Sequence, residues 1–210
     1  AEALAGAGIA SIRMDFPGCG DSQASFFDYS HTANISDSNA CLAWALTNAP
    51  VDPGRLGVLG YSNGGRMALM MSTEGDFPYK AMGLLAPAYF TGTPEQRAEA
   101  EERLAIAQAE GSFNMDWYGR TLQVSPRNYL DDLASFDIMG QVRPRVETLI
   151  VYGDQDEMVA PAICRSLQSL LGAEAVEVPN ADHGYGFYSD QPEVTAAVHG
   201  AFIDFFTKNL

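Results

Sequence analysis

Basic residues are scarce. Twelve Lys and Arg stand against 27 Asp and Glu in 210 residues, a net charge of −15. Nucleic acids and anionic membrane surfaces need a basic footprint, so neither is an expected partner. Cysteine is scarce too. Cys19, Cys41 and Cys164 lie far apart, with no C-x-x-C pair to hold zinc or run thiol redox chemistry. An odd number leaves a disulfide set incomplete, which favours a reducing, cytoplasmic setting and three small buried hydrophobes. No apolar run reaches the ~18 residues of a membrane span. No charged-then-apolar signal segment opens the chain. Histidine occurs only three times, at positions 31, 183 and 199.

What is present reads as a globular chain. Apolar residues make up 47% and charged residues 19%, and the length suits one domain with an insertion. Apolar strands alternate with helices. Ile9–Phe16 is predicted as a strand stopped by Pro17-Gly18, followed by a helix over Asn34–Thr47. Leu56–Gly60, Ala81–Leu85, Thr148–Tyr152 and Ala175–Val178 are predicted as further strands. Gly64–Ser72, Pro161–Leu171 and Pro192–Lys208 are predicted as helices, and Ala1–Gly8 as the tail of another. This order predicts right-handed βαβ units, a mostly parallel sheet and helices on both faces. About sixty residues, Tyr89–Glu147, interrupt it. Pro94–Glu110 is a strong helix former, and Phe113–Leu130 reads as short strands or turns. A structureless loop of that length is unfavourable, so an inserted lid subdomain at 89–147 is expected between core segments 1–88 and 148–210.

The sharpest chemical signal is Gly60-Tyr61-Ser62-Asn63-Gly64-Gly65, directly after a predicted strand and opening a predicted helix. In that context G-x-S-x-G places a serine at the apex of a strained turn, where bulky neighbours two residues either side would clash. The helix N-terminus behind it presents backbone N–H groups to an oxyanion. A serine needs a base, and the base an orienting acid, in the chain order Ser, Asp or Glu, His. His31 precedes Ser62, and His199 sits inside the last predicted helix. His183, in Asn180-Ala181-Asp182-His183-Gly184 after the last strand, is the candidate base. Asp154, Asp156 and Glu157 compete for the acid's place in the loop after Thr148–Tyr152, and Asp156 is preferred. The patch Arg13–Ser22 lacks the third glycine and the Lys-Ser/Thr of a phosphate cradle. Arg13 and Asp15 are instead expected to tie loops together.

Five blocks together resemble the α/β-hydrolase superfamily: R-x-D-F-x-G-x-G-x-S from Arg13, D-P-x-R from Asp52, the Ser62 elbow, G-D-x-D-x-x-V-x-P from Gly153, and D-H-G at Asp182. Within it the chain is most similar to the cinnamoyl/feruloyl esterase group and related serine hydrolases, through LIVYGDQDEMVAP and an insertion where those enzymes carry a small lid. The resemblance implies an α/β-hydrolase fold with Ser62 as nucleophile, Asp156 as acid and His183 as base. It implies the Asn63 backbone N–H as one oxyanion donor. The family's sheet begins with strands placed before Ile9–Phe16, so the fold is expected with its N-terminal strands missing and the second oxyanion donor upstream of Ala1.

The expected function is a serine esterase of small acyl or aryl esters, hydroxycinnamoyl esters included, needing no metal or organic cofactor. The alternatives are a peptidase of the acyl-peptide or prolyl type and a non-catalytic binding protein of the same fold. The expected partner is a small-molecule ester, and a homodimer is compatible with the sequence. Trp117 and Tyr118, with Phe113, Tyr129 and Phe136, are candidates for an acyl pocket. The insertion's own small core is an equally good use for them.

Overall fold

A computed structural model describes residues 1–74, 77–117 and 119–210. In chain order its elements are α1 Glu2–Gly6, α2 His31–Asn48, β1 Gly57–Tyr61, α3 Asn63–Met71, β2 Ala81–Leu85 and α4 Pro94–Glu110. β3 Phe113–Trp117, β4 Arg120–Val124, α5 Pro126–Gln141, β5 Glu147–Gly153, α6 Pro161–Leu171, β6 Glu174–Val178 and α7 Pro192–Asn209 follow. The chain forms two compact units.

The first unit comprises Ala1–Ile12, Asp52–Tyr89 and Val142–Leu210. Among its described residues, four parallel strands pair in the order β1-β2-β5-β6. β2 and β5 occupy the middle, which is why Ala81–Leu85 and Thr148–Gly153 are buried throughout. Strands covered on both faces read as continuous apolar runs, and these do. Glycines in β1 reveal the two covering layers. A Cβ on Gly57 would meet the Phe206 ring of α7 at 2.7 Å, whereas one on Gly60 would meet the Gly64 carbonyl oxygen of α3 at 2.4 Å. Residues three apart on a strand face opposite sides, so α7 and α3 lie on opposite faces of the sheet. α7 fills its side with Phe202, Phe205 and Phe206. Phe202 occupies the space left by Gly83, whose added Cβ would lie 2.9 Å from the ring.

The second unit comprises Arg13–Val51 and Phe90–Gln141. α4 starts where its sequence says it should. Thr93 and Gln96 form a reciprocal capping box with Pro94 in the first turn, and the helix stops at Gly111 in the left-handed region. β3 and β4 pair as an antiparallel ribbon. Ala107, Val124 and Tyr129 form a small core, with Phe26, Leu104, Phe113 and Met115 packed against it. α2 packs on α5, and Asp131 accepts from both the backbone N–H and the hydroxyl of Thr32, at 2.8 and 2.6 Å.

Two expectations are corrected. Ile9–Phe16 forms no strand; it pairs with no strand among the described residues, and Ile12 is half exposed. Strand propensity reports a residue's fit to a sheet that already exists, and cannot supply the neighbour. The stretch expected as short strands or turns up to Leu130 also runs into an unforeseen helix, α5. Its apolar positions Tyr129, Leu133, Phe136 and Met139 recur at helical spacing, behind a proline placed where helices tolerate one. The polar residues between them mask that periodicity in the sequence.

Because Phe202 fills a gap built around Gly83, Phe202→Ala should destabilise the fold by about 3–5 kcal/mol. Urea unfolding measures this, and a loss below about 1 kcal/mol would show that the sheet face collapses onto the cavity.

Candidate active site

The turn after β1 puts Ser62 at its apex with φ 52° and ψ −115°. This conformation is costly for any residue but glycine, and persists only where the surroundings enforce it. Two backbone hydrogen bonds do so: Ser62 N–H donates to the Leu85 carbonyl at 2.9 Å, and Ala88 N–H donates to the Ser62 carbonyl at 2.9 Å. Both tie the turn to the end of β2. The close approaches that demand glycine fall at Gly60 and at Gly65, where an added Cβ would lie 2.8 Å from Pro87. Gly64 has open space around it, so the expected clash two residues after the serine is displaced by one position.

The loops after β5 and β6 lie against each other. A Cβ on Gly153 would sit 2.1 Å from the Ala181 carbonyl oxygen. Across this contact Gln155 N–H donates to that oxygen at 3.0 Å, and Asp154 N–H to the Val178 carbonyl at 3.2 Å. The contact brings Asp156 to His183, whose Nδ1 lies 2.7 Å from Asp156 Oδ2. Nε2 of the same ring lies 3.0 Å from Ser62 Oγ. An ionised carboxylate only accepts, so Nδ1 carries a proton, and a ring protonated there alone turns a bare Nε2 to the serine hydroxyl.

Asp156 is almost wholly buried. Burial by itself raises a carboxyl's pKa. The His183 hydrogen bond, the Val159 N–H, the His183 charge and the Tyr185 hydroxyl outweigh it and hold Asp156 below its ordinary value. Its Oδ1 accepts from the Met158 and Val159 N–H groups at 2.9 and 2.8 Å. Its Oδ2 accepts from His183 and from Tyr185 Oη at 3.1 Å. The competing Asp154 has a buried Oδ1 with no hydrogen-bond partner, and Glu157 is exposed.

The other residues singled out from the sequence fall elsewhere. The Asn63 backbone opens α3 beside Ser62. Trp117 ends β3 in the second unit and is 46% exposed. Tyr118 lies outside the described residues. Phe113 and Tyr129 belong to the second unit's core, and Phe136 is buried beneath the Arg97 guanidinium. His31 is buried at the start of α2, 3.6 Å from Asp132, and His199 is exposed on α7. Asp15 holds its loop by accepting from Asp21 N–H at 2.9 Å. Among the described residues, no three His, Cys, Asp or Glu side chains come together in a way that could hold a metal ion, and no helix is long and apolar enough to cross a membrane. Two tyrosines that sequence reasoning misses bond to the Ser62–His183–Asp156 line. The Tyr61 hydroxyl donates to the His183 backbone carbonyl, and Tyr185 reaches Asp156. Their contacts span 122 and 29 residues, so no local pattern announces them.

A parallel sheet covered by helices on both faces, with a serine on the strand-to-helix turn, is the architecture of the α/β-hydrolase fold. The chain belongs to the alpha/beta hydrolase family, whose model matches residues 2–198. Among solved structures it is similar to the monoacylglycerol lipase of Paleococcus ferrophilus, with 15% identity and a TM-score of 0.76 over 100% of this chain and 87% of that one. It is also similar to Est1E from Butyrivibrio proteoclasticus, solved with ferulic acid bound, at 24% identity and a TM-score of 0.70 over 98% and 81% of the two chains. The esterase domain of a Rhodothermus marinus protein matches at 19% identity and a TM-score of 0.66 over 97% and 76%. At these identities the likeness is one of fold. No curated protein matches the chain.

The lowered Asp156 pKa makes stability pH-dependent in one direction. The carboxylate's contribution is complete above the unfolded value of about 3.9 and is lost as pH falls through the lower folded one. The stability gap between wild type and Asp156→Asn, read by urea unfolding, should therefore be widest near neutrality and narrow below about pH 4. A gap independent of pH would contradict an ionised Asp156.

Proposed function

We propose that the protein is a serine carboxylic ester hydrolase acting on esters of small acyl or aryl groups, hydroxycinnamoyl esters among them. The observation that carries this reading is the hydrogen-bonded line from Ser62 Oγ through His183 to Asp156, with 3.0 and 2.7 Å contacts. In the proposed reaction Ser62 Oγ attacks the ester carbonyl while His183 Nε2 takes its proton. The oxyanion accepts from the Asn63 backbone N–H at the head of α3. His183 then protonates the leaving alcohol and afterwards activates water to release the acid from Ser62. Asp156 holds the imidazole tautomer and stabilises the charge that forms on it. Fold neighbours that include a monoacylglycerol lipase and an esterase solved with ferulic acid agree with an ester substrate.

The reading extends to the inserted segment 89–147 as the part that selects substrates, through Trp117 and Tyr118. Its support is the aromatic content of the segment and the exposure of Trp117 at 46%.

A fluorophosphonate probe should label the wild type at Ser62 and leave Ser62→Ala unlabelled. On p-nitrophenyl esters, Ser62→Ala and His183→Ala should each lose about 10⁴-fold or more in kcat. Asp156→Asn should cost orders of magnitude, and Asp154→Asn little. A tenth of wild-type turnover surviving in either of the first two variants overturns the mechanism.

Trp117→Ala should shift the ratio of kcat/KM between aliphatic and aromatic esters while leaving the melting temperature nearly unchanged. Equal loss on every ester would make the segment scaffold.

A further inference from the structure

Tyr185 is wholly buried, and its hydroxyl lies between two groups of fixed polarity. The Gly153 N–H can only donate, and does so to Tyr185 Oη at 2.9 Å. The ionised Asp156 can only accept, and its Oδ2 lies 3.1 Å from Oη. The hydroxyl proton therefore has one direction to point, toward the carboxylate. The same Oδ2 accepts from His183 Nδ1. The backbone supports this placement at a cost, since Tyr185 has φ 48°, in the left-handed region that favours glycine. The Thr195 hydroxyl holds it there by donating to the Tyr185 carbonyl at 3.2 Å.

Among the described residues, the titratable groups facing Asp156 are His183, Tyr185 and the Cys164 thiol of α6. Burial pushes the thiol up to about 12. Burial, reinforced by the Asp156 charge, also raises the Tyr185 hydroxyl. Both stay protonated at neutral pH, which leaves Tyr185 a permanent donor and Asp156 the single anion of the group.

The geometry points to Tyr185 as a positioning residue of the reaction: steered by the Gly153 N–H, its hydroxyl clamps Asp156 and shares the carboxylate's charge with His183. This inference rests on the serine-hydrolase reading above. Tyr185 acts through Asp156 and His183, since its hydroxyl bonds the Gly153 N–H and Asp156 Oδ2. It fixes the carboxylate's rotation, so that Oδ2 meets Nδ1, and it moderates the field that Asp156 exerts on the imidazole. Without the hydroxyl, Oδ2 turns all its charge on His183, the imidazolium is favoured, and the base is lost to protonation at a higher pH.

Tyr185→Phe keeps the ring and removes the hydroxyl, and its folding is checked by thermal melting. With p-nitrophenyl acetate, kcat should fall about tenfold or more, the measure of a hydrogen bond to a charged group. KM should stay within about twofold, because the bond is not made to substrate. The acidic limb of the pH profile should move to higher pH. An unchanged kcat and profile in the folded variant overturns the clamp, as does a loss of activity with no movement of the profile. A second measurement uses the wild type alone. By NMR the Tyr185 hydroxyl proton should exchange slowly with water and show a cross-peak to the Gly153 N–H; exchange at the rate of an exposed tyrosine overturns the clamp even if the variant does not fold. Ser62→Ala run in parallel separates the two readings. If wild-type turnover does not depend on Ser62, the serine-hydrolase reading fails and the inference falls with it. If turnover depends on Ser62 but not on the Tyr185 hydroxyl, the inference alone falls.

Discussion

A carboxylate buried to 3% exposure organises the first unit's strand ends. Taking a charge out of water costs several kcal/mol unless every lone pair finds a donor. Asp156 receives four: two backbone N–H groups from its own loop, the His183 ring and the Tyr185 hydroxyl. The two side-chain donors come from the loop after β6, so the charge is tolerable only when the two loops are closed on each other. The missing side chain at Gly153 allows that closure, and the Ala181 carbonyl seals it. Adjacent parallel strands of one sheet are what bring the loops to the same edge.

The serine turn meets a related demand by different means. Its strain is backbone strain, local to Ser62, and the bonds that hold it run to the end of the neighbouring strand. Such strain costs roughly 1–3 kcal/mol per residue and survives where a rigid scaffold over-determines it. The buried central strands and the α7 phenylalanines provide that scaffold. Ser62 and Tyr185, both non-glycine residues with positive φ, lie on loops that deliver a side chain to the Ser62–His183–Asp156 line. Stability built into the sheet thus offsets strain held at its edge.

The second unit is organised around a core of its own. Its ribbon and helices close around Ala107, Val124 and Tyr129, so among the described aromatic residues that stand out in its sequence Phe113 and Tyr129 serve that small core, Phe136 lies buried beneath Arg97, and Trp117 is exposed. Composition cannot make this division, because an aromatic ring in a core and one on a binding surface look alike in a sequence.

Features settled within a few residues are legible in the chain alone. The Gly60–Gly65 turn, the Thr93 capping box and the apolar runs of β2 and β5 are local preferences, and each is where its residues say. Ser62 and His183, which the fold brings within 3.0 Å, stand out in the chain because a strand, a turn and a residue type sit side by side. Features that depend on a distant partner become definite only in the folded molecule. Asp154 and Asp156 share one loop and one chemistry, and only the approach of the loop after β6 gives Asp156 its two side-chain donors while leaving Asp154 Oδ1 without one. Tyr61 and Tyr185 acquire their contacts across 122 and 29 residues. Ile9–Phe16 has the composition of a strand and no ladder, because a hydrogen-bonded neighbour is a property of the fold, and residues can only be suited to one.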